Sequence, residues 1–212
     1  MIKKKKKRQN EWERGQAIFH SSNENTPKSG VAILVNAKQI YIEHLSSDLK
    51  GRILAIKLFY FDKQIQIINI YAPSGTSNRV ENRIFFEKLY PYIISNIPVV
   101  LAGDFNCVEN NELDKHPPIR AYEKPVTLIA LKHTFNLIDT HRTQNPTTVT
   151  FTRHAPNSQS RLDRFYINNL CTFSNHKFLA TPFADHDRVY LTLNTNHTCI
   201  KIKDNLEKQY KQ

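Results

Sequence analysis

Pro98-Val99-Val100-Leu101-Ala102-Gly103-Asp104-Phe105-Asn106 is the stretch on which the fold reading turns. Its apolar residues run without alternation, as in a short buried strand, and the run ends at Gly103 and a polar Asp/Asn pair. Upstream, Gln64 to Tyr71 alternates Gln and Ile before becoming wholly apolar, and Ile53 to Phe61 is rich in β-branched and aromatic residues. Asp62-Lys63 between them suits a tight hairpin. Gly30 to Val35, following Pro27 and Ser29, is a further apolar strand candidate. From Asn78 to Ile94 the spacing of Phe85, Leu89, Tyr92 and Ile93 predicts a helix, with Asn78 as N-cap and Pro91 kinking its last turn. Downstream, Leu128, Leu131 and Phe135 form a helical stripe over Val126 to Phe135. Thr148 to Thr152 and Leu162 to Ile167 read as strands around a polar loop, Arg153 to Ser160, and Val189 to Leu193 alternates as a half-buried strand. Strands, helix, strand, helix, strands is an α/β or α+β order with mostly antiparallel pairing.

The chain has 212 residues and a formal net charge of +11. That length suits one domain able to bury a core without staples. No apolar run approaches the ~20 residues of a membrane span. Cys107, Cys171 and Cys199 are odd in number and widely spaced, which argues against a disulfide framework or structural zinc and for an intracellular setting. The opening Lys3–Arg8 run has no apolar segment after it, so it is not a secretory signal; it reads first as a solvated helix face or frayed terminus, and second as a nuclear address or nucleic-acid patch. Of the +11, residues 1–8 carry +6 and residues 201–212 carry +2, which leaves +3 for the body. The expected organisation is a basic segment, 1–11, a domain over 12–200 and a basic tail, 201–212.

Four polar clusters fall at the ends of predicted strands: Asn69-Ile70-Tyr71-Ala72-Pro73, Gly103-Asp104-Phe105-Asn106, Arg161-Leu162-Asp163 and Ala184-Asp185-His186-Asp187. Each alone reads as a turn, a core aromatic or a surface ion pair. Together they hold the parts of metal-assisted phosphodiester hydrolysis: carboxylates for Mg²⁺, groups that orient a water, and a histidine for phosphate. Asp163 has the chemistry to hold and charge His186.

The segments NIYAP (69–73), VLAGDFNCV (100–108), SRLDRFYI (160–167) and ADHDRV (184–189), in this order, resemble the endonuclease/exonuclease/phosphatase superfamily of DNase I and exonuclease III, and more narrowly the endonuclease domain of non-LTR (LINE-type) retrotransposons. The resemblance implies a four-layer sandwich of two mostly antiparallel β-sheets flanked by helices, and Mg²⁺- or Mn²⁺-dependent hydrolysis of DNA. It makes Asp104 the general base or water-orienting carboxylate, with Asn106 beside it at the phosphate. His186 would stabilise the charge at phosphorus, with Asp163 orienting it. Asp185 would lie on the metal or leaving-group side, and Tyr71 would contact the scissile phosphate or the leaving oxygen. Thr150 matches a phosphate-bonding hydroxyl, while Arg153, His154 and Arg161 fall where such enzymes meet DNA. In a retroelement the partner would be the reverse transcriptase.

The family's opening Asn strand and its Gln-Glu pair, whose Glu is a principal metal ligand, have no match here; Trp12, Gly15 and Phe19 follow directly on the basic run. Ala184 also stands where a Ser is usual. The expectation is an N-terminally truncated copy with impaired catalysis. Two other readings compete: a non-catalytic nucleic-acid-binding remnant, and another phosphoesterase of the superfamily.

Overall fold

The computed structural model describes residues 10–12, 16–22, 30–36, 40–47, 50–60, 62–74, 79–194 and 199–204. The chain forms β1 (Asn10–Trp12), β2 (Gln16–Ser22), β3 (Gly30–Asn36), β4 (Tyr41–Ser47), β5 (Ile53–Tyr60), β6 (Lys63–Tyr71), α1 (Arg79–Glu87), a 3₁₀ turn at Tyr90–Tyr92, and β7 (Val99–Asp104). After these come β8 (Lys115–His116), α2 (Val126–Thr134), β9 (Ile138–Asp139), α3 (Thr140–Gln144), β10 (Arg153–Ala155), β11 (Ser158–Ser160) and β12 (Asp163–Ile167). The last strands are β13 (Thr172–Leu179), β14 (Arg188–Asn194) and β15 (Cys199–Asp204).

A six-stranded sheet, β4-β5-β6-β7-β12-β9, is the centre. Its β6–β7 pair is parallel and its other strand pairs are antiparallel, as the element order predicts. Because residues alternate across a strand, the two faces carry different residues. Ile53, Ala55, Ile68, Ile70, Val99, Leu101 and Tyr166 pack against Phe85, Phe86 and Leu89 of the first helical region and Leu128 and Leu131 of α2. On the other face Leu54, Ile56, Leu58 and Ile67 meet Val31, Ile33 and Val35 of β3. Val100, Ala102, Phe165 and Ile167 meet Val189, Leu191 and Leu193 of β14. The second layer is therefore two three-stranded sheets, β1-β2-β3 and β13-β14-β15, laid side by side on one face of the six-stranded one. β7 is buried along its whole length because it lies between these layers.

Four expectations change in detail. The helix predicted from Asn78 to Ile94 stops at Glu87, and Pro91 sits inside a separate 3₁₀ turn, since proline cannot extend the α-helical hydrogen bonding. Asn78, its expected cap, lies outside the described residues, as does the basic run Lys3–Arg8. Thr148 to Thr152 is not a strand, and the polar stretch Arg153 to Ser160 is not a loop but the hairpin β10–β11, joined by β8 into a small sheet. Residues 201–204, placed in a basic tail by the sequence, pair with β14 as part of β15.

Gly103 is fixed by close approach. Its φ is +125°, and an added Cβ would stand 2.0 Å from the carbonyl oxygen of Ile70 on the parallel neighbour. Only glycine allows β7 to lie this close to β6 just before Asp104.

Beneath β13 two histidines are buried without charge. Thr140 Oγ1 donates to Phe165 O at 3.1 Å, so His176 Nδ1–H donates to Thr140 Oγ1 at 2.7 Å, and His176 Nε2 is buried without a partner. Burial, with help from the neighbouring His141, lowers His176 to about 3; burial and the nearby Arg161 lower His141 to about 4, against the opposing pull of Asp139. Unfolded histidines protonate near pH 6.5, so below that the unfolded chain binds more protons and stability falls with pH toward 4. These two histidines should lower the urea midpoint between pH 7.5 and pH 5, against the opposite contributions of the raised Asp104 and His186. His176→Phe should show a visibly shallower drop; an unchanged slope would refute the assignment.

Candidate active site

β6, β7 and β12 end side by side, which brings the sequence clusters together. Tyr71 is in register with Asp104 across the parallel pair, and Asp163 with Asp104 across the antiparallel one. Asp104 is 4% exposed, and its two oxygens accept from the Asn106 backbone N–H at 2.9 Å and from Asn106 Nδ2 at 3.0 Å. Nδ2 also donates to Ala72 O at 2.8 Å, and Asn106 takes the left-handed conformation, φ 46°, that Asn tolerates better than most residues. The Asp-x-Asn spacing thus makes a closed turn around the carboxylate, as the residues alone suggested, and also fixes where it points.

Asp163 is fully buried. Its Oδ2 accepts from Thr152 Oγ1 at 2.7 Å and lies 2.9 Å from His186 Nδ1, while Oδ1 is buried without a partner. Ligating atoms of Asp104, Asp163 and His186 all lie within 4.8 Å of one another. Burial and the adjacent Asp163 push Asp104 from the ordinary carboxylate range up to about 7, against the pull of His186. Burial opposes the charged form of His186, but the hydrogen bond and charge of Asp163, with Asp104 adding, outweigh it and raise its pKa. Two crowded carboxylates with one unsatisfied oxygen suit a hard divalent cation, which takes oxygen ligands. With Nδ1–H given to Asp163, His186 is better placed as a proton-bearing group than as a ligand.

Tyr71 carries the Arg52 guanidinium 5.1 Å above its ring. Asp185 is half-exposed and 3.6 Å from Arg153 Nε, outside the close trio. His154 Nε2 lies 2.9 Å from Asp187 Oδ2. These two pairs, with hydrogen bonds His154 N to Asp185 O and Asp187 N to Thr152 O, both 2.7 Å, dock the His186 segment onto β10. Arg153 and His154 are thus at the site's rim and hold its histidine segment.

One predicted contact is corrected, and a hydroxyl other than the predicted one is found bound to Asp163. Arg161 is 1% exposed, with Nε 2.7 Å from Asp114 Oδ1 and Nη2 2.8 Å from Asp139 Oδ2. It is an internal cation neutralising two carboxylates and presents nothing to DNA. Thr150 Oγ1 lies 3.1 Å from His141 Nε2, and the hydroxyl that reaches the site is Thr152, which also accepts from the backbone N–H groups of Leu162 and Asp163. Thr147-Thr148-Val149-Thr150-Phe151-Thr152 repeats Thr at every second position, so spacing could not choose between them. Asp114 and Asp139 were also missed, because an acidic residue far along the chain gives no sign of its partner. Among the described residues Cys107 and Cys171 are free, and no helix is long and apolar enough to cross a membrane.

A family model described as "Endonuclease/Exonuclease/phosphatase family" matches residues 8–186. A Xenopus laevis protein described as "Transposon TX1 uncharacterized 149 kDa protein" is 30% identical over 172 residues, covering 77% of this chain. The chain spans only 13% of that relative's length. Among solved structures, the Xenopus laevis APE2 catalytic domain superposes with TM-score 0.70 at 18% identity, covering 91% of this chain and 78% of that one. The endonuclease domain of TRAS1, described as a telomere-specific non-LTR retrotransposon, superposes with TM-score 0.61 at 12% identity, covering 82% of this chain and 76% of that one. At these identities the structural likeness concerns the fold.

Proposed function

The chain belongs to the endonuclease/exonuclease/phosphatase family of hydrolases, and from that premise we propose that it cuts phosphodiester bonds in DNA with the help of Mg²⁺ or Mn²⁺, as the endonuclease of a mobile element. The observation that carries this is the buried Asp104–Asp163–His186 group, with Asn106 locking the first carboxylate and Thr152 the second.

Asp104, when ionised, accepts the proton of the attacking water; its proximity to pH 7 suits that task. His186 is held protonated by Asp163, and its Nε2–H faces the charge that develops on the phosphate oxygens. Asn106 and Tyr71 position the phosphate beside Asp104. The carboxylates of Asp104 and Asp163, with Asp185 from the rim, are the groups that would hold the cation, which supplies Lewis-acid stabilisation of the phosphoryl oxygens. DNA is favoured over small phosphoesters by the transposon relative, and by the likeness to AP endonucleases and to a TDP2 whose structure holds a single-strand DNA product. In such an element, working in the nucleus, the new 3′ end would serve its reverse transcriptase.

The test is conversion of supercoiled plasmid to open circles, with Mg²⁺ or Mn²⁺ titrated into the millimolar range and EDTA as control. Metal-dependent nicking is expected. DNA binding that ignores both metal and Asp104→Ala, with no nicking, would overturn the enzyme reading in favour of a non-catalytic binder.

A further inference from the structure

Between β13 and β14 the chain turns at Thr181-Pro182-Phe183-Ala184, and the Phe183 side chain stands 98% exposed. A single exposed apolar residue is ordinary; the way this one is presented is not. Ala184 N donates to Thr181 O at 3.3 Å, which closes a β-turn with Pro182 at its second position and Phe183 at its third. Proline presets the backbone angle such a turn needs, so the corner is stiff. Immediately beyond it the chain is docked onto β10 through Asp185 O, Asp187 N and the bridge between Arg153 and His186. The ring is therefore held on a pinned support, two residues from Asp185 and three from His186 in sequence.

We infer that Phe183 is a stacking platform for one unpaired nucleobase next to the phosphate being cut, an assignment that rests on the phosphodiesterase reading above. A strand whose phosphate lies at Asp104 and His186 brings its neighbouring bases to the adjoining surface, where this ring waits. Stacking needs only a free aromatic face and accepts any base, which suits a side chain that offers no hydrogen bond. Leu179 and Ala180 are also exposed before the turn, but it is the ring's place next to the Asp185–Arg153 pair at the site's rim that ties it to the phosphate.

The experiment uses the full chain carrying Asp104→Asn, so that DNA is bound and not consumed, with duplex oligonucleotides holding an unpaired 2-aminopurine. Affinity is read by anisotropy and stacking by quenching of the 2-aminopurine emission. Adding Phe183→Ala should weaken binding roughly tenfold and restore emission. Phe183→Trp should keep both affinity and quenching, Phe183→Leu should keep neither, and the salt dependence should be the same in all. Undiminished affinity and quenching in Phe183→Ala would overturn the platform while leaving the nuclease reading intact. An equal loss on fully paired duplex, with no quenching in the parent, would also overturn it. No DNA binding by any of these proteins would bring down the nuclease reading, and the platform with it.

Discussion

Asp104→Asn is expected to lower plasmid nicking by roughly 10³-fold, the scale on which a positioned general base acts, while the folded protein becomes no less stable. The first half follows from chemistry: an amide has the shape of the carboxyl group but cannot take the proton of the attacking water. The second half follows from electrostatics. Asp104 is buried opposite Asp163, and its pKa of about 7 lies above that of an unfolded Asp, near 3.8. A carboxyl whose folded pKa is raised contributes stability below its unfolded pKa and loses it as pH rises through the folded one. The parent chain should therefore lose stability between pH 4 and pH 7 through this group, and the neutral Asn variant should escape that loss. One hydrogen bond from Asn106 is sacrificed, since an amide has a single acceptor oxygen where the carboxylate offers two. Melting in EDTA should show the variant's advantage widening from pH 6 to pH 8. A variant that melts lower than the parent at pH 8, or that nicks within tenfold of it, would contradict this account of Asp104.

The parts of this fold that could be read from sequence are those where one residue type repeats with the period of its element. β5, β6, β7, β12 and β14 are apolar on at least one face, and their burial follows the alternation or the unbroken run. The hairpin β10–β11 escaped because Arg153-His154-Ala155 and Ser158-Gln159-Ser160 hold no apolar residue beyond Ala155. Those strands owe their form to backbone pairing with β8 on one side and the His186 segment on the other. The site residues divide in the same way. Asp104, Asn106, Asp163 and His186 stand at the ends of readable strands, so strand registry brings them together. Thr152 lies in an irregular segment, where period-two reasoning has no hold. Phe183 carried no signal at all, since only a solved surface distinguishes an exposed phenylalanine from a buried one.

Arg161 shows most clearly what charge alone leaves unsaid, and Arg161→Met is expected to be the most damaging substitution to stability. The guanidinium reaches Asp114 through Nε and Nη2 and Asp139 through Nη2, with both carboxylates buried. Burial raises the cost of the Asp114 charge, but the hydrogen bond from Arg161 and the charges of Arg164 and Arg161 bring its pKa down to about 2. Asp139 is likewise lowered, burial being outweighed by Arg161. Asp139 also caps α3, accepting from the backbone N–H groups of His141 and Arg142. Removing the cation leaves two internal carboxylates with Arg142 and backbone groups as their remaining partners, and breaking such a pair costs about 3–5 kcal/mol. Arg161→Lys keeps the charge but not the fork that meets both acids at once, so it should recover only part of the loss. Adding Asp114→Asn and Asp139→Asn to Arg161→Met should also restore part of it, because the stranded charges are gone. The opposing view, in which Arg161 neutralises a DNA phosphate, predicts the reverse. Unfolding midpoints would then be nearly unchanged, and the slope of log affinity against log salt would fall by about one unit. A urea melt on Arg161→Met, and a salt titration on the variant that adds Asp114→Asn and Asp139→Asn so that it folds without the cation, separate the two. Loss of stability with an unaltered salt slope is the result the buried network requires, because the guanidinium is committed to Asp114 and Asp139; the Arg161 backbone, its N–H donating to Asp114 O and its carbonyl accepting from Arg164 Nη2, fixes the segment leading into the strand that delivers Asp163 to the site.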